Sequence, residues 1–148
     1  MAIRTYFYTA CYHLHMRRNN VLEKKIWFAT FIIYVAIVLK LTIFRDSTYT
    51  DRQLNLILFT NLLNVYTNYG VWQFLRLFLG NIGWFLPFGF LLPMLLDKNN
   101  IIKITMLGFC FSLIIEVSQF IFRKGVAEVD DLILNTLGVI IGYLAYSL

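Results

Sequence analysis

Ser112, Glu116, Gln119 and Arg123 interrupt an otherwise apolar stretch at a regular interval. Their spacing of i, i+4, i+7 and i+11 stacks them on one face of a helix. An ionisable side chain in such a stretch is expensive in lipid unless it is paired, which makes Glu116 a functional candidate by default. A carboxylate there could act as a general base, or accept hydrogen bonds in a binding site. A polar stripe of this kind must face a partner helix or a wet cavity, because lipid offers no hydrogen bonds.

A second group follows at once. Asp130 and Asp131 open the last apolar stretch, where carboxylates cap free N–H groups and complement the helix dipole. Asp131, Asn135, Gly138 and Gly142 repeat the i, i+4, i+7, i+11 spacing. Gly138 and Gly142 form G-x-x-x-G, which lets two helices approach closely. The two stripes read as opposed faces of an antiparallel hairpin joined by Lys124 to Val129. Glu116 would then pair with Asn135 or Gln119, and Arg123 with Asp130 or Asp131. A third group lies upstream: Asn81, then Pro87, Gly89 and Pro93. Pro87 lacks an N–H and should free the carbonyl of Gly83 for a neighbouring helix to satisfy. Polar residues in such helices also serve as plain interhelical glue, and that reading stands beside the functional one.

The elements that must hold these residues follow from hydropathy. Of the 148 residues, 59% are hydrophobic and 14% charged, against about a quarter charged in a soluble domain. One small core could not hide that much apolar surface. Four stretches approach the roughly 20 apolar residues that a bilayer requires: 26–44, 78–96, 101–122 and 132–148. Between the first two, Thr60, Asn61, Asn64, Thr67 and Asn68 oppose Leu54, Leu58, Leu62, Val65 and Tyr69. Segment 53–76 is therefore amphipathic, an interfacial or re-entrant element rather than a span. The expected fold is an all-α integral membrane bundle of four transmembrane helices plus this segment. Residues 26–148 form the membrane domain, and 1–25 a basic and aromatic leader.

Charge sets the expected orientation and narrows function. The net charge is +5, from 13 basic and 8 acidic residues. The basic residues fall between apolar runs rather than on one polar face, which argues against nucleic acid. Arg4, Arg17, Arg18, Lys24 and Lys25 precede the first span, and Lys98 and Lys103 flank the second connection. The other two connections are mixed: Arg45, Arg52 and Arg76 with Asp46 and Asp51, then Arg123 and Lys124 with Glu128, Asp130 and Asp131. Positive flanks mark the cytoplasmic side, so both termini are expected inside and the polar stripes toward the outside. Cys11 and Cys110 read as ordinary thiols. The pair His13 and His15 has no metal-ligand partner at a recognisable spacing, and no cofactor is expected.

These motifs carry a resemblance. Asn81-Ile-Gly-Trp-Phe-Leu-Pro87-Phe-Gly89-Phe-Leu-Leu-Pro93 resembles the N-x-x-x-F-x-P-x-G-F-x-x-P signature of the VanZ-like family. Glu116-Val-Ser-Gln119, Arg123 and Asp130-Asp131-Leu-Ile-Leu-Asn135-Thr-Leu-Gly138 resemble its E-x-x-Q, R and D-D-x-x-x-N-x-x-G pattern. The likeness spans roughly residues 26–146, with a weaker match around Asn55. One departure is that Gly125 follows Arg123, whereas the family usually places Gly before its Arg. The resemblance implies a membrane protein that lowers susceptibility to teicoplanin, a glycopeptide acting on wall precursors outside the membrane.

Three functions remain open on these grounds. The first is a non-enzymatic protein that binds a lipid, a lipoglycopeptide antibiotic or a wall precursor through Asn81, Glu116, Gln119, Arg123, Asp130, Asp131 and Asn135. The second is a membrane enzyme on a lipid-linked substrate, with Glu116 and Asp131 as the catalytic candidates. The third is a small transporter subunit, for which four spans would require an oligomer. With no His in the site, no Gly-rich phosphate loop and no metal cluster, the residues favour binding over catalysis.

Overall fold

The computed structural model describes residues 21–44, 49–96 and 100–148. Most of the leader, with Arg4, Cys11, His13, His15, Arg17 and Arg18, lies outside the described residues, as do Arg45, Asp46, Asp97 and Lys98. Five helices make up 81% of what is described. In chain order the elements are α1 (Val21–Thr42), β1 (Gln53–Asn55), α2 (Thr60–Tyr69), α3 (Val71–Leu95), α4 (Ile101–Phe122), β2 (Val126–Glu128) and α5 (Val129–Ser147).

Helices α1, α3, α4 and α5 are long and apolar enough to cross a membrane. The 19 residues of the shortest, α5, rise about 28 Å, close to the hydrocarbon thickness. Exposed side chains such as Ile33, Trp84, Ile102, Ile114 and Leu144 suit lipid contact. The chain is an all-α integral membrane bundle of four spans, as its hydropathy predicts. Three spans begin earlier than expected: α1 takes in Val21–Lys25 from the leader, α3 starts at Val71 rather than 78, and α5 at Val129 rather than 132. The amphipathic segment is the separate ten-residue helix α2, broken from α3 at Gly70, whose φ of 82° is open to glycine. Only Leu62 of α2 is buried.

The core forms where the spans meet. Val38, Phe85, Phe88, Ile104, Ile115 and Val139 are its buried centre. Phe88 stacks on Phe111 with centroids 5.2 Å apart, and Phe31 of α1 packs on Phe88 at 5.5 Å. Pro87 and Pro93 sit within α3. The hydroxyl of Tyr34 donates to the carbonyl of Trp84 at 2.7 Å. This is one residue along from the Gly83 carbonyl expected from proline chemistry.

The glycine pair of α5 packs on α3, not on α4 across the hairpin as helical spacing suggests. A Cβ on Gly138 would lie 2.3 Å from the Ile82 carbonyl oxygen, and one on Gly142 2.1 Å from that of Leu86. Gly89 of α3 answers from the other side, where a Cβ would lie 2.0 Å from the Val139 carbonyl oxygen. Three glycines thus bring two backbones into direct contact. Gly138→Ala should cost about 1–3 kcal/mol of stability, the range for overpacking a tight core. Gly80→Ala, where a Cβ meets nothing within 4 Å, should be neutral or slightly stabilising. Reversible unfolding in mixed micelles would compare them, and equal effects would contradict the backbone contact.

Candidate functional site

The polar residues converge at one end of the bundle, where α4 ends and α5 and α3 begin. Its floor is the pair Ser112 and Asn135, both buried, with Asn135 Nδ2 donating to Ser112 Oγ at 2.9 Å. One turn further along α4, Glu116 is 7% exposed. Its Oε2 accepts the backbone N–H of Glu128 at 2.9 Å. That donor is neither Asn135 nor Gln119, the partners expected from helix spacing. The connection after α4 is not a plain loop; it folds into β2 and turns an amide toward the carboxylate.

Strand β2 is itself held by the first connection. It pairs in parallel with β1, in the register Gln53–Val126, Leu54–Ala127 and Asn55–Glu128. Asn61 of α2 donates from Nδ2 to both carboxylate oxygens of Glu128, at 2.9 Å each. The backbone N–H of Phe59 donates to Asp130 Oδ1 at 2.8 Å. Phe59 takes a left-handed conformation, φ 59°, to do so. Such a residue costs about 1–2 kcal/mol, comparable with the roughly 1.5–3 kcal/mol that a hydrogen bond to a charged group contributes. Asp130 is 1% exposed, and its Oδ2 has no hydrogen-bond partner among the described residues.

Asp131 turns to α3 and accepts a short hydrogen bond from Asn81 Nδ2. Both are half-buried. The α5 stripe therefore sits at a three-helix junction: Asn135 faces α4, while Asp131, Gly138 and Gly142 meet α3. Gln119 reaches α1, its Nε2 lying 3.4 Å from the Thr42 carbonyl. Arg123 is exposed and ends α4 in the left-handed region, φ 55°. Its guanidinium donates to the Thr50 carbonyl at 3.1 Å, and its own carbonyl accepts the Tyr49 N–H at 2.8 Å. The structure thus directs Arg123 to the first connection, not to Asp130 or Asp131 as spacing suggests.

Glu116, Glu128, Asp130 and Asp131 lie within electrostatic reach of one another. Among the described residues, no group of three or more His, Cys, Asp or Glu is arranged to hold a metal ion. The cluster can accept hydrogen bonds and hold positive charge. Spacing did not single out Glu128 or Asn61 as site residues. Their signals were the acid run Glu128, Asp130, Asp131 and the polar face of the amphipathic segment.

Fold and site together define a multi-pass membrane protein with a hydrogen-bonded acidic centre at one end of its bundle. Residues 31–148 match the family described as VanZ/LLP1, and the chain belongs to that family. Protein VanZ of Enterococcus faecium is 30% identical over 123 residues, covering 83% of this chain and 70% of that protein. No solved structure matches.

Burial holds the Glu128 carboxyl above its ordinary range; the Asn61 hydrogen bonds pull it down, and the charge of Asp130 adds to the rise. A group whose pKa rises on folding binds its proton more tightly in the folded state. Its contribution is most favourable at low pH, and stability falls as pH climbs from 4.5 through the folded value. Glu128→Gln should flatten that slope in melting curves recorded across pH in detergent. A variant with the slope of the parent would show that Glu128 does not titrate in this window.

Proposed function

We propose that this VanZ-family protein lowers susceptibility to teicoplanin-type glycopeptides. It would do so by binding an amphiphile, the antibiotic itself or a lipid-linked wall precursor, at the polar end of its bundle. The observation that carries this reading is the gathering of Asn81, Glu116, Gln119, Asp130, Asp131 and Asn135 at a single end. Orientation is part of the proposal. Lys24, Lys25 and Lys103 lie at the opposite end, while acids and bases mix at the polar end, so the basic flanks favour a cytoplasmic N-terminus and an outward site. The end of α5 shares the basic side.

Burial sorts the candidate residues by role. Glu116, Asp130, Ser112 and Asn135 are buried and shape the site from within. Asn81 and Asp131, half-buried, together with exposed Arg123, are the groups a ligand would meet. A general-base role for Glu116 in a membrane enzyme is less well supported, because its Oε2 already accepts a backbone N–H.

Expression in a susceptible Gram-positive host should raise tolerance to teicoplanin several-fold and more than tolerance to vancomycin. Asn81→Ala and Asp131→Asn should abolish the gain at unchanged protein level. No change for either drug would count decisively against the proposal. Full activity in both variants would move the binding surface elsewhere.

A further inference from the structure

Two arginines meet at the polar end of the bundle. The guanidinium of Arg52 lies over the ring of Phe120, with its carbon 5.9 Å from the ring centroid. Phe120 is in the last turn of α4, and three residues on, Arg123 donates from Nη1 to the Thr50 carbonyl. Thr50 is two residues from Arg52, so both guanidinium groups gather where the first connection crosses the end of α4. Both arginines are exposed.

Plainer roles account for only part of this arrangement. A cation at the C-terminus of a helix complements its dipole, and the Thr50 bond ties down the first connection. Those two effects suffice for Arg123. They do not for Arg52. An exposed cation–π contact is a weak tie, and the strand pairing of Gln53 with Val126 already holds the chain at the next residue. Topology does not ask for Arg52 either, since basic flanks belong to the cytoplasmic side and this end is the one proposed to face outward. What the ring does is orient the side chain. It takes the flat face of the guanidinium and leaves the edge, where the five N–H donors lie. A fork held in this way suits the paired oxygens of a phosphate, which arginine meets bidentately.

We infer that Arg52 and Arg123, with Phe120 as the support under Arg52, bind the phosphate of a membrane lipid. The end of α4 at Phe122 sets that phosphate at the bilayer surface. From Phe120 toward the bilayer centre, exposed Val117 and Leu113 follow on the same helical face. They offer apolar surface to a chain attached to the phosphate, which a free phosphate would not use. The inference deepens the binding role proposed above and takes its outward orientation from that reading. It favours a phosphate-bearing lipid over the antibiotic as the amphiphile.

Native mass spectrometry of the purified full chain tests this, with phosphatidic acid, phosphatidylcholine and glycerol phosphate as probes. Phosphatidic acid should be retained as a defined adduct, with the other two held far more weakly. Arg52→Gln should weaken the adduct about tenfold, the loss expected for one hydrogen bond to a charged group. Arg52→Lys keeps the charge without the fork and should fall between parent and Arg52→Gln. Arg76→Gln, at a third exposed arginine near the start of α3, should leave the adduct unchanged. Equal losses in the Arg76 and Arg52 variants would show diffuse attraction and overturn the site, as would equal retention of phosphatidylcholine. Glycerol phosphate held as tightly as phosphatidic acid would overturn the lipid as its ligand. An adduct that forms only after Asp46→Asn or Asp51→Asn would show the chain's own carboxylates on the arginines, and would also overturn the site. Teicoplanin tolerance separates the two readings. Tolerance without a phosphatidic acid adduct would overturn this inference alone, and an adduct without tolerance would overturn only the resistance role.

Discussion

Glu116 needs a hydrogen-bond donor that lipid cannot supply, and the rest of the polar end is arranged around meeting that need. A charged side chain costs about 2.5–3.5 kcal/mol at the centre of a span and less toward its ends, and Glu116 lies toward the C-terminal end of α4. One hydrogen bond to a charged group returns about 1.5–3 kcal/mol. The bond from the Glu128 amide therefore offsets much of the burial. That amide is in place only because residues 126–128 are extended, and they are extended because β1 pairs with them. A carboxylate on α4 thus makes demands on a segment more than fifty residues upstream.

The stability that this arrangement draws on comes from the contact between α3 and α5. In lipid, helices associate through close packing rather than hydrophobic transfer, so small residues count for more than they would in water. Gly89, Gly138 and Gly142 let the two backbones touch. The same contact fixes Asn81 beside Asp131, because Asn81 is the residue before Ile82, whose carbonyl lies against Gly138. Packing and polar chemistry are therefore coupled along one seam. Shifting the seam would separate the Asn81–Asp131 pair as well as open the core.

The sequence made the spans legible because hydropathy and length decide them: α4 runs over the expected 101–122. It also made visible which residues belong together, since helical spacing converts directly into a shared face. The partners were not legible. Arg123 was expected on Asp130 or Asp131 by charge, but it ends its helix in the left-handed region, which turns it toward Thr50. Glycine is usual at such a position, so no local signal in an arginine predicts the turn. β1 and β2 were invisible for a different reason. Three-residue strands are too short for an alternating pattern, and their pairing joins segments some seventy residues apart. Asn61 was noted as one of several polar residues on an amphipathic face, but only the fold distinguishes it from Asn64 or Asn68 by placing it on Glu128.

The two left-handed non-glycine residues, Phe59 and Arg123, show how the connections are held. Both lie outside the spans, and each places a backbone group where the other connection needs it. Phe59 offers its N–H to Asp130, and Arg123 accepts that of Tyr49. Strain of this kind persists only where surrounding contacts over-determine the conformation, and here the contacts come from both sides of the same pair of segments. Asp130 completes the logic. One oxygen accepts the Phe59 bond, while the other has no hydrogen-bond partner among the described residues despite near-complete burial. Its place in the first turn of α5 sets it in the positive field of the helix N-terminus, which favours negative charge without a direct bond. The polar end is thus tied together by backbone donors and a helix dipole more than by opposite charges. Asn81 and Asp131, hydrogen-bonded and half-buried, are the members of that end that reach toward the surface.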